Sequence, residues 1–431
     1  MEKFVSKVKR VEGELRVPSD KSISHRAIIL TALADGKSEV KHFLKAGDTL
    51  TTLNCYRKLG IRIEESNQVI SVYGKGLRGL KEPEDIIDMG NSGTTTRLTM
   101  GVLAGQDFFT VITGDDSLKK RPMGRVAKPL IQMGAKIDGR NNCNNLPLAV
   151  RGGNLKGIEF FNEKSSAQVK SALIIAGLYA EGKTTVIEPV ISRDHTEKML
   201  ISMGANISTE IYNNEYRVSI TYTDKLEPIK VDVPADPSSA AFFVAAAVLV
   251  KNSQIKLKDV LVNPTRDGFF RKLKEMGADI EYINHRTEGG ETVADIVVKH
   301  SNLRGVKVTK EEVPSMIDEI PLLAIVATQA EGETIITGAH ELRVKESDRI
   351  KAVVNNLRNL GIEVEELEDG MVIKGPQKVR GGVVDSYKDH RIAMGFAILG
   401  LIAEEGITIK DANYVFISYP DFFKHLEYVS R

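Results

Sequence analysis

The chain has 431 residues, 42% hydrophobic and 27% charged, with a formal net charge of +1 at pH 7. A single hydrophobic core stops growing at roughly 250 to 300 residues, so at least two domains are needed. The near-neutral balance excludes a general nucleic-acid binder, no run approaches the ~20 apolar residues of a membrane helix, and the two cysteines, Cys55 and Cys143, lack the spacing of a disulfide framework or zinc site.

In chain order, the alternation from Phe4 to Val17 predicts strands. An apolar helix opens at Ser19 with SDKSISHR and closes before Gly36; a second helix ends at LGIRI from Leu59, where the glycine is the expected stop before a strand. The same parts then return. Apolar helices open at GNSGTTTR from Gly90, KSSAQVK from Lys164, DPSSAA from Asp236, MIDEIP from Met316 and DHRIAM from Asp389, closing at Gly105, Gly182, Asn252-Ser253, Gly332 and Gly406. Between them, stops recur as MGAKI from Met133, MGANI from Met203, MGADI from Met276 and LGIEV from Leu360. The glycines Gly60, Gly134, Gly204, Gly277 and Gly361 are spaced by 74, 70, 73 and 84 residues. A repeat of this length is one supersecondary unit, here two helices with several strands. Six copies follow, the last lacking its terminal strand pair, which Phe4 to Val17 is expected to supply. The expected fold is α/β (α+β), with one domain over residues 19–233 and another over 1–18 plus 234–431, and crossings near Pro18 and Pro234.

The helix starts carry more charge than capping needs. A helix N-terminus offers unpaired N–H groups and about half a positive charge, and Lys or Arg beside it adds bidentate anion binding. The partner helices begin at KKRPMG around Arg121, RDHTE from Arg193, NPTRDG from Asn263 and RVKESDR from Arg343. Gathering Lys21, Arg26, Arg97, Arg121, Arg193, Lys345, Arg349 and Arg391 would cost on the order of 4 kcal/mol per like pair at ~4 Å, so the site is expected to hold several anionic groups of its ligands. Asp318 and Glu346 are the candidate proton carriers, since a carboxylate among cations can give or take a proton. A plain alternative is helix-start stabilisation by each. Asp236, followed by Pro237, reads as an ordinary N-cap. No Walker, GxGxxG, HExxH or GxSxG signature is present.

The strings SDKSISHRA, GNSGTTTR, KKRPM, SSAQVKSAL, RVKESDR and DHRIAM, in this order from about Val17 to Pro420, resemble the 5-enolpyruvylshikimate-3-phosphate synthase family. SAQxK at Ser166 to Lys170, RxHxE at Arg193 to Glu197 and NxTR at Asn263 to Arg266 resemble its second class, associated with tolerance to glyphosate. The resemblance implies two pseudo-symmetric domains of three βαβαββ units, the inside-out α/β barrel of enolpyruvyl transferases. It also implies transfer of the enolpyruvyl group of phosphoenolpyruvate to the 5-hydroxyl of shikimate 3-phosphate, releasing phosphate, without metal or cofactor. Carried over, Lys21, Ser22, Arg26, Ser166, Gln168, Arg193, Asp318 and Lys345 hold shikimate 3-phosphate. Lys21 and Gln168 also face phosphoenolpyruvate beside Gly93, Arg121, Arg349 and Arg391, with Lys21, Asp318 and Glu346 catalytic.

Three departures stand out. Ile417-Ser418-Tyr419-Pro420 offers no C-terminal lysine, Ala167 contributes only its backbone, and Gly93 stands where tolerant members often have alanine. A sister enzyme acting on UDP-N-acetylglucosamine shares the fold but carries a loop cysteine, absent from Asp115 to Pro122 here. A non-catalytic sugar-phosphate-binding protein would need the cations without both acids. A cytoplasmic monomer with no nucleic-acid or membrane partner is expected, closing about a hinge when its first anionic ligand binds.

Overall fold

A computed structural model of the chain describes residues 1–288 and 290–431. It divides into two compact units, one of Met1–Asp20, Pro234–Thr287 and Thr292–Arg431, the other of Lys21–Val233 and Glu288–Glu291.

The repeat takes form as sheets with a shared strand order. In the copy that starts at Glu159, strand Glu159–Phe161 lies parallel to Lys183–Glu188, which pairs antiparallel with Glu215–Thr221, itself antiparallel to Ile207–Tyr212. Helices Ala167–Gly177 and His195–Ser202 fill the two connections. The same parallel leading strand is Ile87–Asp88, Lys230–Asp232, Glu12–Leu15 and Lys307–Val308 in four other sheets.

The N-terminal strands serve two sheets rather than one. Lys3–Val5 pairs antiparallel with Ile407–Lys410 and is, among the described residues, the one strand added to the last copy, whereas Glu12–Leu15 leads the sheet of Gln254–Leu261. Alternation marks a strand but carries no information about its partner, which corrects the expectation that both complete the last copy.

The glycine stops behave as their spacing implies. Gly60, Gly134, Gly204, Gly277 and Gly361 all have φ between +76° and +114°, the left-handed region that ends a helix at low cost. Gly105 differs, with φ −90°. Its need is for space, because a Cβ there would lie 2.2 Å from the ring of buried Tyr179.

Helices that are apolar all round belong in the interior. Pro237–Leu249, Ile320–Ala327 and His390–Gly400 are buried along their whole length and pack together in the first unit. In the second, Lys21–Ala32, Gly93–Ala104 and Ala167–Gly177 are buried beyond their first residues, and a Cβ on Gly101 would sit 2.2 Å from the Ala172 carbonyl oxygen. Strands cover them with alternate residues, as Leu146, Leu148 and Val150 show. Both cysteines are free and buried, and burial pushes the Cys55 thiol up to about 12. Among the described residues no helix is long and apolar enough to cross a membrane.

Gly105→Ala is expected to destabilise the fold by about 1–3 kcal/mol through overpacking. Gly153→Ala, whose nearest atom would be 4.0 Å away, is expected to be near neutral. Urea denaturation of the two variants checks the contrast.

Candidate active site

In the Lys21–Val233 unit the helix starts hold a group of cations. Ser92 caps helix Gly93–Ala104 by accepting from Thr95 N at 3.2 Å, and the threonines that follow turn inward. Thr95 meets Thr52, and Thr52 meets fully buried His25 at 2.6 Å, tying three helices together. This leaves Gly93 facing two guanidiniums: a Cβ there would be 3.4 Å from Arg97 Nη1 and 3.5 Å from Arg121 Nη1. Arg121 is fixed by Asn91, whose side-chain oxygen accepts from Nη2 at 2.6 Å and whose carbonyl accepts from Nη1 at 3.2 Å. Arg97 donates to Gln168 Oε1 and to Pro122 O, while Gln168 Nε2 donates to Thr94. Gly93, Arg121 and Gln168 are therefore neighbours, with Arg97 between them.

Lys21 opens helix Lys21–Ala32 and pairs with Asp48 at 3.2 Å. Arg193 Nη1 donates to Ser22 Oγ at 3.2 Å. Ser166 is the residue before helix Ala167–Gly177 and its side chain makes no cap bond. Arg26 is buried rather than presented: it donates to Thr196 Oγ1 at 2.7 Å, Ser171 Oγ at 2.8 Å and Ser22 O at 3.0 Å, bracing three helices.

The other unit contains an acid and guanidinium cluster. Arg349, fully buried, begins helix Arg349–Asn359 and contacts Asp389 at 2.8 Å, Glu346 at 2.8 Å and Asp318 at 3.2 Å. Burial works against its proton, but the carboxylates, Asp389 first, outweigh this and raise its pKa. Arg391 contacts Glu319 at 3.2 Å and Asp318 at 3.6 Å. Burial raises the Glu319 carboxyl, Arg391 opposes this, and Asp318 adds to the rise. Asp318, Glu346, Arg349 and Arg391 are thus one connected group. Lys345 is half-buried at the end of the turn His340–Val344. Glu346 precedes its helix by three residues, and the cap is Asp348, so a dipole role in the first turn does not apply to it.

Arg266, from NPTRDG, is also fully buried, paired with Asp20 at 2.7 Å and Asp236 at 3.1 Å. Asp236 does cap its helix, accepting from Ser238 N at 2.8 Å, but the ion pair is a second task. Asp48, Asp318, Glu319, Glu346 and Asp389 supply counter-charge from the protein itself to Lys21, Arg349 and Arg391. Asp48, Glu319 and Asp389 escaped detection because an acid near a helix start resembles a cap, and Asp389 is one as well, accepting from Arg391 N at 2.9 Å.

Among the described residues one group has donor atoms close enough for a metal, Asp194, His195 and Glu291, all within 4.8 Å. Lys198 already lies 3.2 Å from Asp194 and 3.0 Å from Glu291. Burial would raise the Glu291 carboxyl, but hydrogen bonding and charge from His195, with Lys198, hold it at about 2.

The model of EPSP synthase (3-phosphoshikimate 1-carboxyvinyltransferase) matches residues 5–426. The chain belongs to the EPSP synthase family. The 3-phosphoshikimate 1-carboxyvinyltransferase of Sulfurihydrogenibium sp. (strain YO3AOP1) is 72% identical over 100% of both chains, and that of Persephonella marina 72% identical over 99% of both. The enzyme of the same name from Aquifex aeolicus is 54% identical over 98% of each chain. The solved EPSP synthase of Acinetobacter baumannii superposes with a TM-score of 0.88 at 43% identity, covering 100% of this chain and 98% of that one. The fold is that of the EPSP synthases, and the chain is an enzyme transferring a carboxyvinyl group to 3-phosphoshikimate; the UDP-N-acetylglucosamine alternative is not favoured.

Burial raises the Asp389 carboxyl, yet Arg349 overrides this and holds it below its ordinary value. With the unfolded value at ~3.9, the stabilisation is fully present above that pH and lost as pH falls through the lower folded value. Asp389→Asn is therefore expected to cost about 3 kcal/mol at pH 7, the scale of a broken buried pair. The deficit should shrink only below about pH 4, as read by denaturation midpoints across pH.

Proposed function

We propose that the enzyme takes its enolpyruvyl group from phosphoenolpyruvate and adds it to the 5-hydroxyl of shikimate 3-phosphate by addition and elimination, and that the residues above divide the work. Ser22, Arg26, Ser166, the Ala167 backbone, Gln168, Arg193 and Lys345 hold shikimate 3-phosphate, Arg26 acting from behind through Ser22. Gly93, Arg121, Arg349 and Arg391 receive phosphoenolpyruvate, with Lys21 and Gln168 serving both substrates. A bare glycine at a helix N-terminus, flanked by two guanidiniums, suits a phosphate or carboxylate.

In the addition, the 5-hydroxyl oxygen bonds to the central carbon of phosphoenolpyruvate as its proton passes to Asp318, and the methylene carbon gains a proton from Glu346. In the elimination the methyl carbon returns a proton to Glu346, the carbon–oxygen bond to phosphate breaks, and phosphate leaves with the proton that Asp318 had taken. Lys21 assists, and the cations stabilise charge on the tetrahedral intermediate.

The observation that carries this assignment is that Arg349 holds Asp318 and Glu346 together, at 3.2 and 2.8 Å. Two acids fixed by one guanidinium supply two proton transfers without reorganisation. Motifs of the glyphosate-tolerant class, a cytoplasmic location and a monomeric state complete the proposal.

Phosphate release should require both substrates. Asp318→Ala should lower kcat by about 10²–10⁴-fold while still binding shikimate 3-phosphate by calorimetry, an outcome a non-catalytic binder could not give. In Glu346→Gln, exchange of solvent hydrogen into the methylene of phosphoenolpyruvate should collapse; exchange at the parental rate would sink that proton role. Gly93→Ala, whose methyl would meet the two guanidiniums at van der Waals distance, should fold normally and raise the KM for phosphoenolpyruvate.

A further inference from the structure

Lys170 and Glu188 are completely buried and Glu197 nearly so, in a cluster that none of the proposed chemical steps uses. Lys170 Nζ lies 3.0 Å from Glu188 and 2.9 Å from Glu197, with its third direction taken by the carbonyl of Ser192 at 3.1 Å. The Tyr216 ring is 5.2 Å from the ammonium. Burial pulls the lysine's proton affinity down, and the two carboxylates more than reverse this. One cation facing two acids inside a protein is costly to maintain, and a buried charge of this kind is often replaceable by apolar packing when stability alone matters.

The contacts around the cluster show where it acts. Glu188 ends strand Lys183–Glu188, and its carboxylate accepts from Ser192 N at 3.1 Å and from Ser192 Oγ at 2.7 and 2.9 Å. With the carbonyl on Lys170, every polar group of Ser192 is therefore held from within the cluster, and the next residue is Arg193. Glu188 also accepts from Asn162 Nδ2 at 2.8 Å, and the same amide donates to the carbonyl of Ser166 at 3.0 Å. Ser165 completes the link, its hydroxyl accepting from Val190 N at 3.2 Å. Two loops, one ending in Ser166 and the other in Arg193, thus share one buried carboxylate. Glu197 brings in helix His195–Ser202, whose Thr196 braces Arg26, which in turn bonds the Ser22 carbonyl.

We infer that Lys170, with Glu188 and Glu197, is a positioning cluster that sets the spacing of Ser22, Ser166 and Arg193, and thereby the affinity for shikimate 3-phosphate rather than for phosphoenolpyruvate. The inference rests on the proposed assignment of those three residues to shikimate 3-phosphate. Lys170 closes the SAQxK string and Glu197 closes RxHxE, so the spacing of both strings is the spacing this cluster needs.

Steady-state kinetics of the full chain test it. Lys170→Met should raise the KM for shikimate 3-phosphate by about tenfold or more, the scale of effects from residues that orient ligand-holding groups, and leave the KM for phosphoenolpyruvate within about twofold. The calorimetric Kd for shikimate 3-phosphate should rise in parallel. Because the effect runs largely through Arg193, adding Lys170→Met to Arg193→Ala should raise that KM by no more than about twofold further. If Lys170→Met does not fold, the neutral variant Lys170→Met, Glu188→Gln, Glu197→Gln removes all three charges together and should show the same selective rise. Parental KM values for both substrates in the folded variant, whatever its denaturation midpoint, would overturn the positioning role while Arg193→Ala still weakens shikimate 3-phosphate. An Arg193→Ala enzyme with a parental KM for that substrate would instead remove the assignment beneath it, and the inference with it.

Discussion

A charge withdrawn from water has to be matched inside the protein, and the penalty for failing is several kcal/mol per ion. Three buried cations, Lys170, Arg266 and Arg349, each meet this demand with two or three carboxylates. Such pairs have few acceptable geometries, because a buried charge moved away from its partner is left uncompensated. The side chains around them are held accordingly: Asp318 and Glu346 by Arg349, Ser192 by Lys170 and Glu188, Asp20 and Asp236 by Arg266. Preorganised polar groups of this kind are what an enzyme stabilising a charged transition state needs in place before the substrate arrives.

The parts of the fold legible in the sequence were those that leave a local mark. A left-handed stop admits little but glycine, so Gly60, Gly134, Gly204, Gly277 and Gly361 could be read as punctuation. Helices buried on every side must be apolar on every side, which Ile320–Ala327 displays without interruption. Strand partnership leaves no such mark. Nothing local distinguishes Lys3–Val5, bound to Ile407–Lys410, from Glu12–Leu15, bound to Gln254–Leu261.

The site divides along the same line. Cations at helix starts stand out by chemistry and repetition, and Lys21, Arg121, Arg349 and Arg391 were visible for that reason. Their acidic partners were not, since Asp48 and Asp389 have an innocent explanation as helix-start acids, and Glu188 sits at the end of a strand outside any recognisable string. Arg26 shows the converse. A motif arginine invites assignment to a ligand, yet its bonds to Thr196 and Ser171 make it part of the scaffold beneath.

The partnership of Lys3–Val5 with Ile407–Lys410 bears on how the chain is made. A ribosome delivers the second of these strands long after the first, so the early one must wait, unsatisfied along its edge, for a complement some four hundred residues away. The portion from Lys21 to Val233 waits less, because its leading strand Lys230–Asp232 emerges with almost half of the sequence still to come. Nascent chains would therefore carry one nearly complete lobe and one open seam, and it is at that seam that a chaperone, or a neighbouring nascent copy, would find something to hold.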